Sequence, residues 1–124
     1  MPFIAPSDAP AFTLHGAVFT GLASPSRGAA ETATWIVTLP AGVPATPHQL
    51  TREEIFVGLE GRALATVGGQ AYEVTPGSAL VVPPHTMFTI TNPDAAPFKA
   101  VALLPVGGQA VIAGQAPFTP PWAA

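Results

Sequence analysis

The sequence predicts an all-β fold, an antiparallel sandwich or barrel, on three observations. Helical periodicity is nearly absent, because apolar residues do not recur at the spacing that would line one face of a helix. Short runs rich in β-branched and aromatic residues, such as TATWIVTL and FKAVALLP, take its place. Glycine and proline, 12 and 16 of the 124 residues, divide these runs at roughly eight- to twelve-residue intervals, which is the rhythm of short strands joined by turns.

Taken in order, AFTL and AVFTGL, on either side of His15-Gly16, predict strands at 11–14 and 17–22. TATWIVTL predicts the next at 32–39, after a segment rich in Ser, Pro, Gly and Ala. HQL and EEIFVGLE predict strands at 48–50 and 53–60. Segments 62–67 and 70–74 form the surest hairpin, since Gly68-Gly69 supplies the two positive φ angles of a tight two-residue turn. ALVV, MFTIT and FKAVALLP predict strands at 79–82, 87–91 and 98–105. Strand 53–60 is apolar on both faces, with Glu54, Phe56 and Gly58 on one side and Ile55, Val57 and Leu59 on the other. A strand buried twice needs a cover beyond the barrel interior. An N-terminal strand or a neighbouring subunit would provide it.

An apolar content of 48 % at this length suits one domain, residues 1–124, with a substantial core. Charged residues make up only 9 %, well below the roughly 25 % of an ordinary globular domain. Such a surface is easier to keep in solution if part of it is covered, so a homodimer is expected, although 23 alanines and 16 prolines on the surface would also account for the figure. The net charge of −3 and four scattered basic residues, Arg27, Arg52, Arg62 and Lys99, form no patch for nucleic acid. There are no cysteines, which removes disulfides, thiolate ligands and a cysteine nucleophile. MPFIAPSDAPAF lacks the basic and continuous apolar regions of a secretory signal. The uncharged stretch 100–124 is broken too often by Gly and Pro to span a membrane as a helix. A cytoplasmic protein with no membrane partner is the expectation.

The chemistry concentrates between Gly42 and Gly61, in GVPATPHQLTREEIFVGLEG. His48, Leu50 and Glu54 are spaced two and four apart, and in extended chain these even positions point the same way. A histidine and a carboxylate converging inside a barrel make either a metal site or an acid–base pair. The spacing resembles the first motif of the cupin superfamily, G-x5-H-x-H-x3,4-E-x6-G, with Gly42, His48, Glu54 and Gly61 matching and Leu50 in place of the second histidine. Downstream, GSALVVPPHTMFTITN resembles the second motif, G-x5-P-x-G-x2-H-x3-N. Gly77, Pro83 and Asn92 match, His85 stands where the family has glycine, and Phe88 stands where it has its last metal-binding histidine. The resemblance implies a small single-domain cupin β-barrel of jelly-roll type. It also implies the family's habit of pairing through a barrel face.

A full cupin set holds a divalent ion with three imidazoles and one carboxylate. The resemblance carries only His48 and Glu54 into that role, fewer than the three protein ligands that catalytic zinc or iron centres retain. No resident cofactor is therefore expected. A divalent ion such as Fe, Zn, Mn, Ni or Cu would need His85, or water, to complete a metal-dependent oxygenase or isomerase site. Leu50 and Phe88, joined by Trp35, Phe56 and Ile90, would instead make the interior an apolar pocket for one small, largely apolar molecule. In that setting burial raises the pKa of Glu54, while a protonated His48 nearby would lower it again. His48 and Glu54 are then candidate catalytic residues for metal-free isomerisation, cyclisation or elimination. A non-catalytic binding or sensing barrel with a relic site is the other reading. The tail PFTPPWAA, with Phe118 and Trp122, would close the barrel mouth or pack on an exposed sheet. Ser78 is expected in a turn role.

Overall fold

A computed structural model describes residues 3–124 of the chain. Its strands are β1 (Ala11–Leu14), β2 (Ala17–Gly21), β3 (Thr32–Leu39), β4 (His48–Leu50), β5 (Glu54–Glu60), β6 (Ala63–Val67), β7 (Gln70–Val74), β8 (Ala79–Val82), β9 (Phe88–Thr91), β10 (Phe98–Pro105) and β11 (Ala110–Ile112). Two antiparallel sheets result, one in the order β1-β2-β3-β10-β5-β8 and the other in the order β11-β4-β9-β6-β7. The jelly-roll architecture expected from the sequence is present. Ten strands fall where the sequence places them, within a residue or two at each end. The eleventh was not foreseen. Its three residues, AVI, lie between Gly108 and Gly114 and pair with β4, Ala110 opposite Leu50 and Ile112 opposite His48.

The alternation of burial along the strands shows how the core is assembled. Along β3 and β10, every second residue is buried. The register sets Trp35 opposite Ala102, and Ala102 opposite Phe56 on the other side. Small residues on β10, Ala100 and Ala102, are fully buried between the larger side chains of their neighbours. This large-against-small arrangement lets neighbouring inner-face side chains pack closely along the six-stranded sheet. The core runs through both sheets, from Trp35, Val37 and Leu39 to Leu50, Phe88, Ala63 and Ala65.

Turns follow the chemistry of their residues. Gly68 and Gly69 both have positive φ, 56° and 85°, and join Val67 to its partner Gln70. Gly61 closes β5 at φ 69°, and a Cβ there would run into the Pro97 carbonyl. Ser78 accepts from the Thr75 amide at 2.9 Å and donates to the Thr75 carbonyl at 2.7 Å, a self-contained turn. Asn92 ties the end of β9 to β3: its side-chain amide donates to Leu39 and Ala96 carbonyls at 2.9 and 2.8 Å and accepts from the Asp94 amide at 2.9 Å. The asparagine at the end of the second motif is thus a clamp between the sheets.

The outer face of the six-stranded sheet decides how β5 is covered. The N-terminal strand β1 extends the sheet beyond β2, so it does not lie over β5. Registered pairs place Thr20, Ile36, Val101, Val57 and Ala79 in one outward row. Thr34, Leu103, Ile55 and Val81 form the next. Both rows are free of charge, and Val81 is 51 % exposed. Among the described residues, no helix is long and apolar enough to cross a membrane.

Candidate functional site

A partly open cavity of about 120 Å³ lies between the two sheets. Both candidate catalytic residues line it, and so do Trp35, Leu50, Phe56, Phe88 and Ile90. The alternation that buries Leu50 on β4 and Phe56 on β5 turns His48 and Glu54 to the same interior, two residues along each strand. His48 and Glu54 nevertheless belong to different sheets, β4 in the five-stranded and β5 in the six-stranded one.

His48 is fixed locally. Its Nδ1–H donates to the Thr46 carbonyl at 2.8 Å, which leaves Nε2 of the neutral ring as the acceptor. Its ring packs against Phe88, the residue opposite it on β9, at a centroid distance of 4.4 Å. Burial lowers its pKa, the Thr46 hydrogen bond opposes that shift, and the charge of His15 lowers it further. The imidazole is thus biased toward the neutral form, with its basic nitrogen free.

Glu54 is only 4 % exposed, and its Oε1 has no hydrogen-bond partner. Burial alone raises its pKa to about 8. The sequence led us to expect His48 to pull this value back down. The structure differs, because no hydrogen bond joins the two groups and each shift has its cause elsewhere. A carboxyl with that pKa is protonated at pH 7 and can donate a proton. The chamber therefore holds a neutral base and a neutral acid.

His85 lies outside the cavity. It sits in the turn before β9 with its side chain exposed and φ at 56°, in the left-handed region. Its place in the second motif is one where the family has glycine, and the positive φ gives the reason. Histidine is among the few non-glycine residues that enter this region with some frequency. The residue serves the turn, and its imidazole does not reach the company of His48 and Glu54. His15 occupies the β1–β2 turn at φ 50° and joins the cavity lining.

A resident metal does not fit these side chains. Of the four positions that would carry ligands, 50 and 88 are buried hydrocarbon, and only His48 and Glu54 offer lone pairs. Among the described residues, no three His, Cys, Asp or Glu are placed to hold one ion.

Several contributors to the wall were not assigned from the sequence. Ala110 and Ile112 come from the unforeseen β11. Thr46 supplies the carbonyl that sets the His48 tautomer, and its position two residues before the histidine, ahead of Pro47, was the available signal. The tail turns out to be a wall. Phe118, Pro120 and Trp122 line the cavity, and the Trp122 ring stacks on Phe19 at 3.7 Å and 4°. Arg27 holds the tail down, donating from its guanidinium to the Trp122 carbonyl at 3.1 Å and to the Leu22 carbonyl at 2.6 Å. A second depression outside the barrel shares Leu14, Phe118 and Trp122 with the cavity.

A two-sheet β-barrel with a site between its sheets defines the class. The family model described as "Cupin domain" matches residues 35–104, so the chain belongs to the cupin family. It is 31 % identical over 93 residues to the uncharacterized protein MJ1618 of Methanocaldococcus jannaschii, covering 73 % of this chain and 74 % of that one. Among solved structures, it is similar to the polyketide cyclase RemF of Streptomyces resistomycificus, with a TM-score of 0.76 and 18 % identity, covering 94 % of this chain and 87 % of that one. It is also similar to KdgF of a Halomonas species, with a TM-score of 0.70 and 22 % identity over 85 % of this chain and 93 % of that one. At these identities, the solved structures speak for the fold.

Proposed function

We propose that this barrel binds a small, largely apolar molecule in its cavity and moves protons on it without a metal, in an isomerisation, cyclisation or elimination. The observation that carries the reading is the state of Glu54: a carboxyl buried in the cavity wall, with an oxygen that has no partner in the protein. A buried polar group left unpaired is costly, and one that is retained in a cavity is a functional candidate.

The two side chains divide the work by their protonation states. Nε2 of neutral His48 takes a proton from an acidic C–H next to a carbonyl. The Glu54 carboxyl gives its proton to the carbonyl oxygen, so that an enol forms while the C–H electron pair becomes the new C=C bond. Reversal from the other face or another carbon completes an isomerisation. Attack of the enol carbon on a second carbonyl completes a ring closure. The similar fold of a polyketide cyclase is compatible with this chemistry. The cavity, at about 120 Å³, is close to the roughly 150 Å³ that takes up a benzene-sized guest, which limits the reacting part of the substrate to about one ring. The apolar walls keep water from competing for the proton.

The test is deuterium exchange at the α-carbon of cyclohexanone in D2O, followed by proton NMR. The expected result is exchange catalysed by the wild-type protein and reduced at least about a hundredfold in both His48→Phe and Glu54→Gln, the usual scale of an acid–base contribution. Its rate should rise as His48 loses its proton and fall as Glu54 ionises near pH 8. Exchange at the buffer rate, or unaltered in both variants, would reject the assignment. Ketone binding without exchange would leave the non-catalytic binding barrel.

We further read the protein as a cytoplasmic homodimer, paired through the uncharged outer rows of the six-stranded sheet. The support is the double apolar character of β5 and the absence of any cover for its outer side from β1.

A further inference from the structure

Beside the cavity lies an open depression of about 330 Å³. The two spaces share Leu14, Phe118 and Trp122 in their walls, so these side chains stand between them. Phe12 and Thr13 of β1 and Gln115, Thr119 and Pro121 of the tail complete the outer depression. Among the described residues, none that lines it is charged. Phe12, Leu14 and Phe118 are only half-buried. An apolar hollow left partly in water is a common mark of a binding surface.

The partition is anchored through its backbone. Phe118 pairs with Ala110 on β11, the two exchanging amide-to-carbonyl hydrogen bonds of 3.1 and 2.8 Å. Leu14 is paired with Ala17 across the first hairpin. Arg27 donates to the Trp122 carbonyl at 3.1 Å, and its guanidinium lies so close to Gly21 that a Cβ there would run into it. The Trp122 indole N–H makes no hydrogen bond, and stacking on Phe19 sets the ring. Leu14 and Phe118 have no polar side-chain atom, so packing alone fixes their rotamers and changing one breaks no hydrogen bond. A single ring occupies most of the cavity, so a substituent on that ring has to pass the wall. Past Leu14 and Phe118 it meets apolar surface again.

We propose that the outer depression is a second subsite for the same ligand, taking an apolar chain carried on the ring that the cavity holds. Leu14 and Phe118 turn aside to let the chain through, while Trp122 stays in place between the two subsites. This rests on the ring-binding reading of the preceding section and names its substrate class: uncharged ring ketones that bear a short alkyl chain. The tail is accordingly part of the binding site, since it walls both halves of it.

The test is NMR of the complex with 4-butylcyclohexanone carrying carbon-13 in its terminal methyl group. The expected result is nuclear Overhauser contact from that methyl to the methyl groups of Thr13 and Thr119, which line the outer depression alone. The ring protons should contact Leu50 and Ile90, which line the cavity alone. From cyclohexanone to the butyl compound, affinity should rise about two- to threefold per added carbon, against about fourfold for complete burial. Gln115→Trp, which fills the depression from an exposed position, should cut that gain to about 1.5-fold or less. A chain end in contact with Leu50 or Ile90, a chain without contacts, a gain unchanged in Gln115→Trp, or no binding of the butyl ketone would overturn the proposal. So would a second copy of the chain seated in the depression, detected as contacts to Thr13 and Thr119 between differently labelled protomers. The wild-type contacts decide this whether or not the variant folds. Deuterium exchange at the ring α-carbons is recorded in parallel. Exchange with the chain end outside the depression sinks the second subsite alone, while a chain end seated there without any exchange sinks the proton-transfer reading alone.

Discussion

Glu54 ionises near pH 8 instead of its ordinary 4.5 because folding takes its carboxyl out of water and gives it no partner. The consequence for stability has a definite sign. Between pH 4.5 and 8 the unfolded chain releases this proton and the folded chain keeps it, so the folded state binds more protons and stability falls as pH rises. His48 acts the other way in the acid range: its lowered pKa means the unfolded chain binds the extra proton below 6.5, so stability rises with pH there. The two oppose each other below about 6.5 and leave Glu54 alone above it. Thermal denaturation should therefore show a loss of stability from pH 6.5 to 8, with a slope approaching 1.4 kcal/mol per pH unit. In Glu54→Gln the slope should flatten, with stability at pH 8 raised by about 2 kcal/mol or more. An unchanged slope in the variant would place the carboxyl in contact with water.

At the scale of elements, the turn before β9 shows how a motif position can be legible and still be misread. His85 was conspicuous as an imidazole three residues before Phe88, the one that the alternative, metal-dependent reading would need. The backbone decides otherwise, because φ of 56° sends the side chain outward. A left-handed conformation costs a residue bearing a Cβ roughly 1–2 kcal/mol, and glycine offsets about half of that through its freer unfolded chain. His85→Gly should thus stabilise the protein by about 0.5–1 kcal/mol in denaturant titration and leave deuterium exchange unchanged. A loss of exchange would return His85 to the site. Most strands were readable, since their apolar alternation is local and their ends are marked by Gly and Pro. The exception, β11, has three residues, too few for a period to show, and is a strand only because β4 needs a partner on its free edge. Asn92 was matched by motif, but its role as a bridge from β9 to β3 depends on a carbonyl 53 positions away in the chain.

For the whole molecule, the open question of cover is carried by the outer face of the six-stranded sheet. Its two uncharged rows run across β2, β3, β10, β5 and β8 and are apolar apart from Thr20 and Thr34, and large exposed apolar patches are uncommon on monomers. Sedimentation should give twice the 12.6 kDa chain mass. Val81→Asp, at a 51 % exposed position that the monomer fold does not need, should shift the protein to the single-chain mass without lowering its melting temperature much. A wild-type monomer would show that alanine and proline alone keep this low-charge surface in solution.

The class of fold, the family, the two interior residues that can carry protons and the apolar replacements beside them are all readable from residue order. These are legible because strand periodicity and short-range spacing fix which side chains share a face. The remaining features arise when the barrel closes. Closure put His48 and Glu54 on different sheets, gave His48 its tautomer through Thr46, turned His85 away, and brought Trp122 back across the chain to Trp35 and Phe19. The physical reason is that protonation state and unpaired donors depend on what surrounds a group in space. Those neighbours come from segments with no local pattern linking them, joined only when the barrel closes.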